Sequence, residues 1–508
     1  MISKVKSAGF IGINSFLVTI ESSISKGIPS FTIVGFTDTV TKESKERIRV
    51  AFENSGIKFL NKKVVVNLAP ADFKKEGALY DLPIAVSLLS AMDVIDKDPD
   101  DYLVVGELSL DGSIREVKGI LPIAEFARRK NLSLICPHGN KKEAAFVDNL
   151  DIYPVQNINE VIDFLNGENE INPYRLDKEV FFQKRDKELL DFKEVRGLPL
   201  AKRAVEISVS GRHNILMVGP PGTGKTMIAK RIPSILPLLS RKEALEVTKV
   251  YSVAGLLPEK DPVVVNRPFR DPHHTVSDIG LIGGGRNPNP GEISLAHKGV
   301  LFLDEMPEFK KNSIEVLRQP IEDSNIIITR ADYTVKYPSD FLLVGAMNPC
   351  PCGYLGDDEK ECSCSQSDIR RYKRKLSGPI LDRIDLQVEV PRSSYDELKG
   401  NWDEESSKKI RSRVKEVQKI QKKRFRNEKI NYNAEMSSSL VKKYCKLTDS
   451  AESIFKDAIE EYSLSARSYF RILKVGRTIA DMEKNKKIKV DNIAEAIQYR
   501  RGMNESFM

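Results

Sequence analysis

The run Asn214-Ile-Leu-Met-Val-Gly-Pro-Pro-Gly-Thr-Gly-Lys-Thr226 decides how the rest of this 508-residue chain is read. An apolar segment enters a glycine-rich turn, and Met-Ile-Ala-Lys-Arg follows at helical spacing. Strand, loop and helix in that order are the context a phosphate-binding loop requires. Gly219, Gly222 and Gly224, with Pro220, Pro221 and Thr223 between them, let the backbone curl so that successive N–H groups point at one anion. A helix beginning near Lys225 adds its positive N-terminal end to the same spot. Lys225 is placed to reach the β- and γ-phosphates, and the Thr226 hydroxyl to bind Mg²⁺. The competing explanation is a glycine-rich turn that binds nothing, and Gly-Lys-Thr directly after an apolar strand weighs against it. ATP and Mg²⁺ are the expected ligands.

Working outward, length suggests about three domains. The chain is 41% hydrophobic and 30% charged, ordinary values for globular protein. It has no apolar run long enough to span a bilayer, and Met1-Ile-Ser-Lys-Val-Lys6 lacks the apolar core of a signal peptide. A cytoplasmic location without membrane contact is expected. Six cysteines in so long a chain do not make a disulfide scaffold. The net charge of +8 is unevenly spread: eleven Lys/Arg stand against two Glu between Lys408 and Lys429. Such a block is either a solvated helix face or a surface for a nucleic-acid partner.

Residues 1–166 read as an α/β unit in which short β-rich runs alternate with helical patterns, and Gly106 to Ile114 as a hairpin turning at Asp111-Gly112. The composition of 167–191 is that of a linker. Residues 192–395 hold the phosphate loop and its partners, and 396–508 read as helical. Gly299-Val-Leu-Phe-Leu303 has the continuous apolar character of a buried parallel strand, and it ends in Asp304-Glu305. Asp304 suits Mg²⁺ held through water, and Glu305 the polarisation of an attacking water. The insertion before that strand carries Phe269-Arg-Asp-Pro-His-His-Thr275 and Gly283-Gly-Gly-Arg286. His273 and His274 are adjacent and expected to point apart, poor spacing for a metal; the glycine run with Arg286 suits a mobile loop that touches phosphates. Ile326 to Arg330 and Tyr333 to Lys336 read as a hairpin. Phe341 to Met347 is a second buried strand, ending in Asn348, whose side chain would lie beside the γ-phosphate.

Cys350-Pro-Cys352 and Cys362-Ser-Cys364 follow, separated by nine residues. Four thiolates suit tetrahedral Zn²⁺, although Cys-x-Cys is less common than Cys-x-x-Cys; four free thiols are the alternative. Later come Leu381-Asp-Arg383-Ile-Asp385 and Ser465-Ala-Arg467, with Arg471 and Arg477 expected on an exposed helix face.

These motifs carry several resemblances. Lys75-Glu-Gly77 and Gly106 to Gly112 resemble the proteolytic domain of Lon-type proteases, a ribosomal-S5-domain-2-like fold. The positions of its Ser–Lys dyad fall on Ala78-Leu-Tyr80 and Leu121, so neither nucleophile nor base is present; what remains is a scaffold for assembly or for a protein partner. Val195 to Lys202 resembles the adenine-covering segment of AAA+ ATPases, Asn348 their sensor-1 residue and Arg467 their sensor-2 arginine. The hairpin before Asn348 resembles that of the clade containing magnesium chelatase and the replicative MCM helicases, which makes Arg330 and Lys336 candidate DNA-backbone contacts. The Leu-Asp-Arg-Ile-Asp segment resembles that clade's arginine-finger motif, which implies that Arg383 reaches a neighbouring subunit's ATP and that the protein is a homo-oligomer.

In its order of motifs the whole chain resembles the YifB/ComM family of magnesium-chelatase-like AAA+ ATPases. The resemblance implies a hexameric ring motor acting on single-stranded or branched DNA, a helicase or branch-migration enzyme of recombination or natural transformation. It departs from some members in its four cysteines after Asn348. The alternative function is ATP-dependent remodelling of a protein partner without DNA.

Overall fold

A computed structural model describes all residues except Met1, 36–38, 73–74, 76, 97–98, 184–188, 259–261, 286–287, 330–333, 358, 393–398, 400–403, 463 and Met508. Arg286 and Arg330 therefore lie outside the described residues. The chain divides into two units: residues 1–184 with 241–265 and 331–336, and residues 185–240 with 266–330 and 337–508.

The first unit is built on a seven-stranded mixed sheet. Ile2–Ile11 and Asn14–Ser25 form a long antiparallel hairpin closed by Gly12 and Ile13, with Gly12 at φ 59°. Glycine at the first turn position is what a two-residue loop between twisted strands demands. Lys63–Ala69 extends this hairpin on one side, and Tyr102–Val104, Ser133–Pro137 and Ile152–Val155 add in parallel on the other. The helix Asp81–Ala91 is buried at almost every position, which is why its sequence lacks a polar face. The hairpin expected near Gly106 is present, with Glu107–Leu108 paired to Ile114–Arg115. Helix Arg241–Ala254, from the insertion after the phosphate loop, belongs to this unit: the Ser252 hydroxyl donates to Glu143 at 2.5 Å, and Lys249 pairs with Glu125. The segment expected to be a linker contains a short helix, Lys178–Gln183.

The second unit carries a five-stranded, wholly parallel sheet in the order Phe269–Arg270, Val300–Leu303, Leu342–Met347, Ile215–Val218, Leu386–Glu389. Residues 215–218, 300–303 and 342–347 are all buried, as continuous apolar runs in a parallel sheet should be. Because all five strands run the same way, Gly219, Asp304 and Asn348 leave the sheet from one edge, the carboxyl edge where ligands of such sheets bind. Helices Ser407–Arg424, Ser438–Tyr444, Asp449–Glu461, Ala466–Met482 and Val490–Phe507 complete the unit. Asn325–Thr329 and Thr334–Pro338 form a separate two-stranded ribbon, with Lys336 exposed.

Arg471 and Arg477 correct the expectation of helix-face charges. Arg477 is 1% exposed, its guanidinium donating to Asp481 and to the carbonyls of Asn485 and Lys486. Arg471 pairs with the buried carboxylate of Asp385. A buried charge persists only when paired and hydrogen-bonded, as Arg477 is; Arg471 is partly exposed. Among the described residues no helix is long and apolar enough to cross a membrane.

Candidate nucleotide site

The phosphate loop connects strand Ile215–Val218 to helix Lys225–Ile235. Gly222 and Gly224 hold φ of 80° and 88°, a region closed to most side chains. That curl brings the loop's N–H groups and the helix N-terminus to one place. Lys225 folds back over the loop: its Nζ donates to the carbonyls of Gly219 and Pro220, each at 2.7 Å, and lies 3.4 Å from Asn348 Oδ1. Burial pushes the Lys225 ammonium down to about 8, against the pull of Asp304 and Glu305. Leu198, in the segment expected to cover adenine, adopts φ 57° and stands near Gly224.

Thr226 Oγ1 donates to Asp304 Oδ2 at 2.6 Å. A hydroxyl and a carboxylate converging beside a lysine supply the hard oxygen ligands Mg²⁺ takes, together with phosphate oxygens and water. The residues present fit both ATP and Mg²⁺. Glu305 follows in a left-handed conformation, φ 49°, its N–H donating to Asp304 Oδ1 at 2.9 Å. This turn sends the two adjacent carboxylates in different directions, one to Thr226 and the other outward, half exposed. ATP, when bound, supplies the phosphoanhydride to be cleaved; Glu305 is placed to orient and deprotonate water.

His274 is the residue whose role the sequence concealed. Its Nδ1 lies 3.7 Å from Glu305 Oε2. The rings of His273 and His274 sit 4.1 Å apart instead of pointing away from each other, because the chain turns at His274 and His273 bonds to Thr275 at 2.8 Å. Asp271 adjoins the same group; burial and the charge of Asp304 push its carboxyl up. The Pro-His-His motif thus borders the Asp304-Glu305 carboxylates. The signal was its place just after strand Phe269–Arg270, which lies beside strand Val300–Leu303. The glycine run forms a small ribbon, Gly283–Gly284 paired with Asn289–Pro290.

Among the described residues neither Arg383 nor Arg467 contacts the phosphate loop. Arg467 Nη1 donates to Asp382 Oδ2 at 2.8 Å, and Arg383 pairs with Glu322 at 2.5 Å and donates to the Pro379 carbonyl. Arg383 is mostly buried and Arg467 exposed. Arg500 adds to this group, 3.8 Å from Asp382, burial pushing its guanidinium down to about 10. In the first unit, Ala78 lies in the short turn Ala78–Tyr80 and Leu121 is fully buried in its helix. The sulfurs of Cys350, Cys352, Cys362 and Cys364 lie within 4.8 Å of one another, the one group of potential metal ligands among the described residues.

The chain matches known proteins along nearly its whole length. A family model described as magnesium chelatase, subunit ChlI, matches residues 191–398; models of the ChlI subunit and of its C-terminal part match 20–140 and 404–500. The chain is 41% identical over 502 residues to the competence protein ComM of Haemophilus influenzae, covering 98% of this chain and 97% of that one. It is 38% identical over 501 residues to YifB of Escherichia coli, again covering 98% and 97%. The magnesium-chelatase 38 kDa subunit of Chlorobaculum parvum is 23% identical over 256 residues, 45% of this chain and 68% of that subunit.

Proposed function

The chain belongs to the YifB/ComM family of magnesium-chelatase-like AAA+ ATPases, and from that premise we propose that it is an oligomeric, DNA-stimulated motor with helicase or branch-migration activity. The observation that carries the DNA half is the outer face of helix Ser407–Arg424. Arg413 and Arg424 are spent internally, on Glu206 and Glu405 and on Asp481. Lys415, Lys419, Lys422 and Lys423, with Arg426 just beyond, remain exposed and have no ion pair among the described residues. Lys415, Lys419 and Lys422 fall at i, i+4 and i+7, one stripe of the helix. A row of unpaired cations suits a phosphate backbone. The name of the Haemophilus relative, a competence protein, supports a role in handling incoming DNA.

Arg467, bonded to Asp382, and Arg383, bonded to Glu322, supply the reason for an oligomer. Neither contacts the phosphate loop of its own chain among the described residues, so the pair suits the nucleotide of a neighbouring copy, in a ring proposed as hexameric from the family resemblance. In this reading the first unit is a Lon-protease-like scaffold without its dyad, available for assembly or for a protein partner, and the motor works in the cytoplasm.

The test is DNA affinity as a function of salt for the wild type and for Lys415→Glu/Lys419→Glu/Lys422→Glu. The reading expects weaker binding and a log–log salt slope shallower by about one per lost phosphate contact. Unchanged affinity and slope would exclude this face, and no DNA binding by the wild type would favour remodelling of a protein partner.

A further inference from the structure

The cysteine group is used by nothing in the nucleotide site, yet it adjoins that site directly. We propose that Cys350, Cys352, Cys362 and Cys364 hold one zinc ion, and that the metal-closed loop braces the phosphate loop. Cys350 Sγ lies 3.4 Å from Cys352 Sγ and 3.6 Å from Cys362 Sγ, and Cys352 and Cys362 are also 3.6 Å apart. A tetrahedron of sulfurs around zinc, with bonds of about 2.3 Å, has edges of about 3.8 Å. Disulfides would instead draw sulfurs in pairs to about 2.05 Å. An iron–sulfur cluster needs room for its own irons and sulfides between the thiolates, and this cage is too tight. One tetrahedral ion fits.

The surroundings are those of a metal loop. The Cys352 N–H donates to Cys364 Sγ at 3.3 Å. Backbone N–H groups of Gly353 and Leu355 point at the Cys350 sulfur, and those of Tyr354 and Ser363 at Cys352. Such outer partners orient thiolate ligands and offset their charge. The stretch between the cysteine pairs has its own anchor. Asp357, its side chain fully buried, accepts from Arg392 at 2.7 Å and from the N–H groups of Glu359 and Lys360 at 2.9 and 3.0 Å.

Both ends of the loop run into the nucleotide site. Gly353, at φ 89°, leaves no room for a side chain: a Cβ there would sit 2.6 Å from Pro221 Cδ. The metal loop therefore lies directly against the phosphate loop. On one side, Cys350 stands two residues after Asn348. On the other, Cys364 precedes Ser365, whose hydroxyl caps helix Gln366–Lys373, and a hydrogen bond joins Tyr372 of that helix to the Asn348 backbone. Closing the loop with a metal thus fixes Asn348 from two directions and Pro221 from a third. The bracing rests on the nucleotide-site reading; the metal site does not.

The experiment is metal analysis of the full-length protein purified under reducing conditions without chelator, alongside equilibrium binding of a fluorescent ATP analogue. About one zinc per chain is expected, replaceable by Co²⁺ with the visible absorption of a tetrahedral thiolate site, and lost in Cys352→Ser and Cys364→Ser. Zinc far below stoichiometry, iron in its place, or disulfides among these four cysteines would overturn the metal site. Gly353→Ala should keep its zinc yet bind the analogue at least about tenfold more weakly, as small displacements at a preorganised site do. Should the cysteine variants fail to fold, the wild-type metal content and Gly353→Ala still decide the matter. Full analogue binding by Gly353→Ala or by zinc-free variants would overturn the bracing. A wild type that holds zinc but no nucleotide would reject the nucleotide site and leave the metal site standing.

Discussion

The imidazole of His274 stands 3.7 Å from the carboxylate of Glu305, Nδ1 to Oε2. Glu305 has no other side-chain partner of comparable proximity among the described residues, and its left-handed backbone aims it away from Asp304. The imidazole thus flanks the carboxylate that the proposed mechanism brings to water. In the proposed mechanism His274 is a positioning residue and Glu305 the catalytic one.

Glu305→Gln should lower ATP turnover by at least about 10²-fold, the scale of general-base catalysis, with analogue binding retained. His274→Ala should lower kcat by about tenfold, as for a group that orients a base, with KM unchanged. Steady-state kinetics on both variants, and on His274→Asn, check this. A change in KM alone would remove His274 from the hydrolytic step.

Lys225 makes nucleotide binding depend on pH. Burial holds its ammonium at about 8 in the free protein, and bound polyphosphate favours the charged form, raising that value. Between about 8 and the higher value of the complex, binding takes up a proton. Affinity is then flat below about pH 8 and falls above it, by at most about tenfold per pH unit. Isothermal titration in buffers of different ionisation enthalpy counts the proton. Lys225→Met should bind more weakly and lose the dependence.

The proposed reach of Arg383 and Arg467 to a neighbouring copy's nucleotide predicts complementation between copies. Arg383→Ala should lower turnover by about 10³–10⁵-fold, as loss of an arginine finger does, while each chain still binds ATP. Titrating wild-type protein with this variant should lower activity more steeply than dilution alone. A linear response would mean that each chain completes its own site and that the Glu322 pair of Arg383 is structural only.

Arg477 predicts a stability effect with no direct catalytic part. Arg477→Met leaves Asp481 with Arg424 and Asn433, and the Asn485 and Lys486 carbonyls without their donor. A buried acceptor left without its donor costs about 1–3 kcal/mol, read as a lower urea midpoint for the second unit. A midpoint within error of the wild type would contradict the network.

The second unit's sheet was legible because each central strand is a short, wholly apolar run ending abruptly in polar chemistry: Val218 before Gly219, Leu303 before Asp304, Met347 before Asn348. Parallel strands buried on both faces leave that mark in a sequence. The long-range relations were not legible. His274 and Glu305 are separated by two short helices, a ribbon and a strand, and nothing local in Pro-His-His points to a carboxylate. Arg477 and Asp481 stand at i, i+4, the spacing of an ordinary surface pair; only packing of the helices around them shows that both are buried. Helix Arg241–Ala254 reads as part of the nucleotide-binding unit by sequence position, and its packing against Glu125 and Glu143 depends on residues about a hundred positions away.

The central claim is that ATP hydrolysis at Lys225, Asp304 and Glu305 is coupled to DNA. The most direct measurement is ATP turnover by the purified protein alone and with single-stranded, duplex and four-way-junction DNA, with Glu305→Gln as the control for contaminating ATPases. Turnover raised by DNA, most by the branched form, and falling back as salt rises is the predicted result. Turnover indifferent to every DNA, with Glu305→Gln inactive, would contradict the coupling while leaving the ATPase intact.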